Sequence, residues 1–226
     1  MNQLTQTILI YTASFLAVLI VVPCHEFAHA YAAVKNGDNT PKIEGRYTLN
    51  PFAHFDILGL VMMILVRFGW AKPVPVNPYN FRNYKKGCIE VAIAGVLTNI
   101  VLAFLFCPLY LLSWKLVIAT NETNVFVWTY FLYLFLYSCF MLNIGLFVFN
   151  LIPAYPLDGY RLLEALTERK GKALYFLRRY GLYILLAVFA LSWIAQITGI
   201  AWLDILGYLI KWVSWPITKF WGLFIK

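Results

Sequence analysis

The sequence has few charged residues for its length. Only 12% of its 226 residues are Asp, Glu, Lys or Arg, whereas 62% are hydrophobic. Soluble domains are about 45–50% apolar and about 25% charged, so this composition excludes a water-soluble globule, a disordered chain and a coiled coil. It predicts an all-α polytopic membrane protein instead, with room for about five transmembrane helices.

The cysteine and charge patterns exclude two further classes. The four cysteines, Cys24, Cys88, Cys107 and Cys139, form no C-x-x-C pair, so neither a disulfide framework nor a zinc ribbon is indicated. The net charge of +8 does not come from a basic groove with interleaved aromatic residues. Nucleic acid is therefore not expected as a partner.

The basic residues are concentrated in two parts of the chain. Fourteen of the 18 lie in residues 35–86 and 161–179. Because basic residues accumulate in cytoplasmic loops, we expect both stretches on the cytoplasmic side of a membrane. This places the amino terminus outside and the carboxy terminus inside, with a prokaryotic cell membrane as the expected setting.

Long apolar runs define the predicted spans. They cover residues 4–34, 88–114, 125–152, 180–197 and 203–224, the last interrupted by Lys211 and Pro216. Residues 57–68 are apolar but too short to span, which is typical of a re-entrant or interfacial segment. Partial alternation over residues 43–49 predicts a short strand, and three prolines within residues 72–78 predict an extended loop.

The pattern H-E-F-A-H, which begins at His25, lies in the second half of the first apolar run. Residues four apart share one face of a helix, so His25 and His29 can bind one zinc ion, with Glu26 beside them as a general base. The alternative is a coincidental helix without metal. It is disfavoured because ionisable residues at membrane depth are costly and usually functional.

Two imidazoles and a water molecule leave one position on a tetrahedral zinc ion. The candidates for it are Cys24, Glu44, His54, Asp56 and Asp158. Asp158 is preferred because it follows two prolines where a span reaches the cytoplasmic side, and Gly159 lets the backbone turn there. The alternative is that Asp158 only caps an interfacial helix over residues 160–166.

Two motifs together resemble the site-2 protease family of intramembrane zinc metallopeptidases. They are H-E-F-A-H from His25 and N-x-x-P-x-x-P-L-D-G from Asn150. Shorter matches lie between them: L-N-P-x-x-H-x-D from Leu49 and G-W-A-K-P-V-P-V-N-P from Gly69. The resemblance covers about residues 22–166. Within the family, the chain looks like the compact branch that lacks a PDZ domain.

The resemblance implies a zinc-dependent intramembrane endopeptidase whose partners are a transmembrane protein substrate and the lipid bilayer. The ligands of one Zn²⁺ would be His25, His29 and Asp158, the catalytic base would be Glu26, and Asn150 would lie near the substrate or the developing oxyanion. The chain would form one membrane-embedded domain over residues 1–226. Its catalytic core would cover about 8–166, and accessory helices about 175–226.

Two assigned substrate-binding residues have structural alternatives. His54 is either a substrate-binding residue or a neutral histidine that stabilises a polar turn. The amide of Asn150 either binds substrate or holds helices together. Two positions also differ from the family pattern: Val96 and Ile57 stand where proline is common, although neither is a proposed ligand.

Two other functions remain as alternatives. One is a non-catalytic zinc-binding scaffold or regulator, which would not need the Glu26 carboxylate. The other is a transporter, which should have polar residues along a whole path across the membrane. Here those residues cluster towards one face.

Overall fold

The computed structural model describes residues 1–56, 59, 71–167 and 171–225. Its α-helices are α1 (Gln3–Lys35), α2 (Thr40–Ile43), α3 (Pro51–His54), α4 (Tyr84–Ala119), α5 (Phe126–Asn150), α6 (Asp158–Leu166), α7 (Lys172–Thr198) and α8 (Ile205–Gly222). Short 3-10 turns lie at Pro78–Asn80 and Ala201–Leu203. The chain is thus a helical multi-pass membrane protein.

Four helices in the described part of the chain, α1, α4, α5 and α7, are long and apolar enough to cross a membrane. The expected count of about five spans is not confirmed. The fifth apolar run forms α8, which has only 18 residues and contains Lys211, Pro216 and Lys219. These residues lower the apolar character of α8, and it is not among the four candidate spans.

The strand predicted at residues 43–49 is wrong. Thr40–Ile43 is a helical turn, and residues 44–49 form turns and bends. Pro41 at the start of this turn favours the helical backbone, and Gly45, with φ of +66°, follows its end. Apart from Gly59, the re-entrant segment predicted at residues 57–68 lies outside the described residues. Nearby, Phe55 and Ala71 form an isolated antiparallel bridge.

Helix α1 packs against both α4 and α5 and buries small residues against each of them. Ala17 lies in a buried cluster with Cys139 of α5, and Ala33 lies in another with Val91 of α4. Lipid gives little hydrophobic drive to associate helices, so close backbone approach through small residues is how membrane helices gain packing contacts. This approach brings the histidines of α1 within reach of α4.

Helices α4 and α5 form the central core together with α8. Cys107, Phe140 and Ile144 are buried between α4 and α5, and α8 covers them with partly buried apolar side chains. The indole Nε1–H of Trp221 on α8 donates to the carbonyl of Phe104 at 2.9 Å. Helix α8 is therefore attached to the core as well as covering it.

The loop between α5 and α6 is supported by α7. The backbone N–H of Tyr155 donates to the carbonyl of Leu177 at 3.4 Å. A Cβ at Gly181, one turn further along α7, would lie 2.6 Å from the Tyr155 nitrogen, so only glycine permits this approach. Helix α7 thus contacts the main chain of the loop that leads to Asp158.

Candidate metal centre

Three side chains from distant parts of the sequence meet beside α4. His25 and His29 lie on one face of α1, and Asp158 is the first residue of α6. The Nε2 atoms of the two imidazoles are 3.1 Å apart, and Asp158 Oδ2 lies 3.3 Å from His25 Nε2 and 3.1 Å from His29 Nε2. All three residues are buried, and together they form a group that could hold a metal ion.

The other nitrogen of each imidazole faces an oxygen atom. His29 Nδ1 lies 2.7 Å from the backbone carbonyl of Val91, which can only accept a hydrogen bond. His25 Nδ1 lies 2.6 Å from the side-chain oxygen of Asn99. A neutral ring that donates from Nδ1 carries a lone pair on Nε2, which is the form of imidazole that binds metals.

When both rings are neutral, no proton lies between the three converging atoms. Asp158 Oδ2 is buried and receives no hydrogen bond from the described residues. Three electron-rich atoms within 3.3 Å of one another repel unless a cation lies among them. A tetrahedral ion with ligands at about 2.0 Å requires ligand atoms roughly 3.3 Å apart, so the observed triangle fits zinc.

The carboxylate of Asp158 does not cap its own helix. Leu157 occupies the N-cap position of α6, and no side chain makes a capping hydrogen bond there. The carboxylate instead points to the two imidazoles. Of the two roles considered for Asp158, the capping role is not observed, and the ligand role stays a prediction.

Glu26 lies next to the two histidines in the sequence and is half-buried. Its Oε2 accepts a hydrogen bond from the backbone N–H of Val74 at 3.2 Å. Val74 lies between Pro73 and Pro75 in the proline-rich loop, which is non-helical over residues 72–77 as the prolines predict. The loop thus runs past the carboxylate that could act as a base.

A buried carboxylate, Asp38, holds this loop against the end of α1. Asp38 Oδ2 accepts from the backbone N–H of Asn77 at 2.8 Å, and Oδ1 accepts from Asn80 and Thr40. Burial raises the pKa of the Asp38 carboxyl, but the hydrogen bonds lower it by more, so its pKa lies below the ordinary value. Asp38 is therefore anionic over the physiological range and anchors the loop that contacts Glu26.

Gly95 on α4 lies directly against the two imidazoles. A Cβ at this position would lie 2.5 Å from His29 Nε2 and 2.5 Å from His25 Cε1. Ordinary contacts begin near 3.4 Å, so no residue with a side chain fits without displacing a ring. The absence of a side chain at Gly95 is what lets α4 close one side of the centre.

The other predicted residues do not join the three ligands. His54 is completely buried; its Nε2 donates to the carbonyl of Thr48 at 2.7 Å, whereas its Nδ1 has no partner among the described residues. Asn150 is the last residue of α5 and is half-buried, and its side chain makes no hydrogen bond within the described part of the chain. The substrate-binding roles of His54 and Asn150 stay predictions.

The remaining candidates for the third ligand are also absent from the group. Cys24 is a free, half-buried thiol, Glu44 is exposed, and Asp56 Oδ1 accepts from the backbone N–H of Gly59 at 3.0 Å. Among the residues that the structure describes, only His25, His29 and Asp158 form a group with metal-binding geometry.

Comparison with known proteins identifies the family. The model for peptidase family M50 matches residues 80–192. YwhC of Bacillus subtilis, named as a zinc metalloprotease, is 37% identical over 179 residues, which cover 77% of this chain and 80% of that protein. The chain belongs to peptidase family M50. The resemblance to site-2 proteases is confirmed, and this M50 peptidase is a zinc metalloprotease with Zn²⁺ as its cofactor.

More distant relatives carry similar names. The zinc metalloprotease MJ0392 of Methanocaldococcus jannaschii is 29% identical, over 69% of this M50 peptidase and 34% of that protein. Rip2 of Mycobacterium tuberculosis, also named as a zinc metalloprotease, is 29% identical over 76% of this chain and 64% of that protein. No solved structure gives a significant match.

Sequence reasoning did not assign the residues of α4 that surround the histidines. Val91, Gly95 and Asn99 are spaced by four residues and so lie along one face of a helix. A glycine and an amide four residues apart in an apolar span could have indicated a helix face that packs closely against polar side chains of another helix. Nothing in the sequence says, however, that this face meets α1.

Proposed function

We propose that His25, His29 and Asp158 hold the zinc ion, and that Glu26 is the general base of an intramembrane endopeptidase. The observation that carries this proposal is the triangle formed by two imidazole Nε2 atoms and one carboxylate oxygen, with sides of 3.1 to 3.3 Å. The two imidazoles lie on α1, which is long enough to span a membrane, and the carboxylate lies at the start of α6. Glu26, the proposed base, directly follows His25 in the sequence.

The chemistry that Zn²⁺ supplies when bound is Lewis-acid activation of water and of the scissile carbonyl. Glu26 accepts the proton from the attacking water and then delivers it to the leaving amine. In the described geometry one oxygen of Glu26 is held by the Val74 N–H, which fixes the side chain and leaves the other oxygen to move the proton. Asn150 is assigned to the substrate or oxyanion, at the end of the span that precedes Asp158.

The depth of the site supports an intramembrane reaction. His29 lies six residues before the end of α1 at Lys35, which corresponds to about 9 Å along the helix. One basic stretch joins the end of α1 to the start of α4, and the other lies between the end of α5 and the first turns of α7. Alternating spans put these four ends on one side, so we assign the site to the cytoplasmic side of a prokaryotic cell membrane.

A transmembrane substrate must unwind before its peptide bonds can be cleaved. The exposed backbone groups then need partners, because lipid offers none. Since residues 43–49 form no strand, we assign this role to the main chain of the proline-rich loop, residues 72–77, which already lies beside Glu26. Extended main chain can bind a substrate segment by strand addition.

The first experiment separates the ligands from the base. We expect Glu26→Gln to retain one zinc ion per chain and to lose about 10²–10⁴-fold in cleavage rate, because only the base is removed. Asp158→Ala should lose both zinc and cleavage. Zinc content of the purified protein and cleavage of a transmembrane segment in vesicles measure these effects. Full zinc content in Asp158→Ala would contradict the ligand assignment.

A second experiment tests where cleavage occurs. The protein is reconstituted in vesicles with a substrate that has one apolar span and polar flanks of equal length. Mass spectrometry of the products should place the cut within or next to the apolar span, and the Glu26→Gln protein should give no product. Cuts confined to the polar flanks would show a protease that acts outside the bilayer.

A further inference from the structure

A chain of buried hydrogen bonds joins His25 to two asparagines on neighbouring helices. His25 Nδ1 lies 2.6 Å from Asn99 Oδ1, Asn99 Nδ2 lies 2.9 Å from Asn143 Oδ1, and Asn143 Nδ2 lies 2.8 Å from the carbonyl of Cys139. Both asparagines are completely buried. The chain crosses from α1 through α4 to α5, between three membrane helices.

The chain has only one consistent direction. The carbonyl of Cys139 can only accept, so the Asn143 amide must turn its NH₂ group towards it and its oxygen towards Asn99. Asn99 must then donate to that oxygen and turn its own oxygen towards His25. As a result, the neutral His25 ring carries its proton on Nδ1 and presents an unprotonated Nε2 to the centre.

We propose that Asn99, oriented by Asn143, is a positioning residue that sets the tautomer of His25 for metal binding. This inference rests on the proposed ligand role of His25. The partner of a metal-bound histidine fixes both the orientation and the protonation of the ring, and its loss typically lowers metal affinity about 10–100-fold.

The two histidines are set by different means. Val91 fixes His29 through a backbone carbonyl, which no substitution removes. Asn99 fixes His25 through a side chain that can be exchanged. The zinc affinity of this protein therefore depends on the side chain at position 99, although Asn99 does not itself face the ion.

The test compares Asn99→Leu with Asn99→Asp. Leucine removes the acceptor while preserving the apolar packing, and we expect zinc affinity to fall about 10–100-fold. Aspartate still accepts from His25 Nδ1, so zinc affinity should stay within the wild-type range, although its second oxygen then faces the oxygen of Asn143. Without metal, the aspartate variant should be the less stable of the two, although it binds zinc more tightly, because only aspartate places a charge between helices.

This reversal distinguishes positioning from a purely structural role. If Asn99 only held the helices together, zinc affinity would follow metal-free stability, and the aspartate variant would bind zinc no better than the leucine variant. Zinc affinity is measured by competition with a chromogenic chelator in detergent, and stability by thermal unfolding of the metal-free protein. Ser113→Ala, which removes another buried polar group of α4, should leave zinc affinity unchanged.

Two further outcomes complete the test. If Asn99→Leu does not fold, Asn143→Leu replaces it in the test, because this variant keeps the Asn99 acceptor but removes the partner that orients the Asn99 amide. We expect Asn143→Leu to lose less zinc affinity than Asn99→Leu would. Wild-type zinc affinity in Asn143→Leu would overturn the proposal. If the wild-type protein itself binds no zinc, the ligand assignment fails instead. Wild-type affinity in a folded Asn99→Leu protein refutes only the role of Asn99.

Discussion

Replacing Gly95 with alanine tests whether the approach of α4 to the histidines determines zinc binding. The added Cβ would lie 2.5 Å from His29 Nε2, whereas ordinary contacts begin near 3.4 Å. Either the imidazole or the helix must move by about 0.9 Å. Metal sites tolerate ligand displacements of only about 0.2 Å, so the ligand triangle cannot survive unchanged.

The size of the effect follows from the cost of overpacking. Extra atoms in a packed interior cost about 1–3 kcal/mol. If this cost falls on the metal-bound arrangement, zinc affinity should drop about 5–150-fold. Competition with a chromogenic chelator measures this change, and cleavage of a transmembrane substrate should fall at limiting zinc.

Gly145→Ala is the matched control for this prediction. It makes the same substitution near the end of α5, where a Cβ would meet no atom within 4 Å. This variant should bind zinc as the wild type does. Equal zinc affinities for the Gly95 and Gly145 variants would show that α4 does not define the ligand geometry, and the described packing at the centre would be incorrect.

Three further predictions concern the surroundings of the centre. Asp38→Asn should lower the melting temperature at pH 7. Because folding lowers the pKa of Asp38, the carboxylate contributes to the free energy of unfolding above its ordinary pKa of about 3.9, and this contribution is lost as the pH falls below that value. The difference in melting temperature from the wild type should therefore shrink between about pH 5 and 3. A constant difference would refute this. Gly181→Val should weaken zinc binding by displacing the Tyr155 backbone, whereas Gly222→Val, at an open position of α8, should not. Removing zinc with a chelator should lower the melting temperature of the wild type but not of Asp158→Ala, as differential scanning fluorimetry can show.

The parts of the site that depend on local spacing could be predicted from the sequence. His25 and His29 lie one helical turn apart wherever the chain is helical, so their convergence needs no tertiary information. Asp158 could be preferred only because its segment ends a span on the basic side. Its approach to the two imidazoles depends on how α1 and α5 pack, which apolar composition does not specify.

The features that sequence reasoning missed or misjudged have physical reasons. The alternation over residues 43–49 was too short to outweigh Pro41, which favours a helical turn. Membrane helices carry little amphipathic pattern, so nothing indicated which face of α4 meets α1, and the contacts of Gly95 and Asn99 with the histidines could not be foreseen. The apolar run at residues 203–224 was correctly read as a helix, yet it is not among the four candidate spans.

The wide separation of the three proposed ligands along the chain has a consequence for biosynthesis. Asp158 follows His29 by 129 residues, and α4 and α5 are made between them. During synthesis the two imidazoles enter the bilayer long before the carboxylate exists, so a nascent chain can offer only an incomplete chelate. With these three residues as ligands, as proposed, maturation of the protease is coupled to completion of its third span, and a chain that stalls before Asp158 lacks one metal ligand.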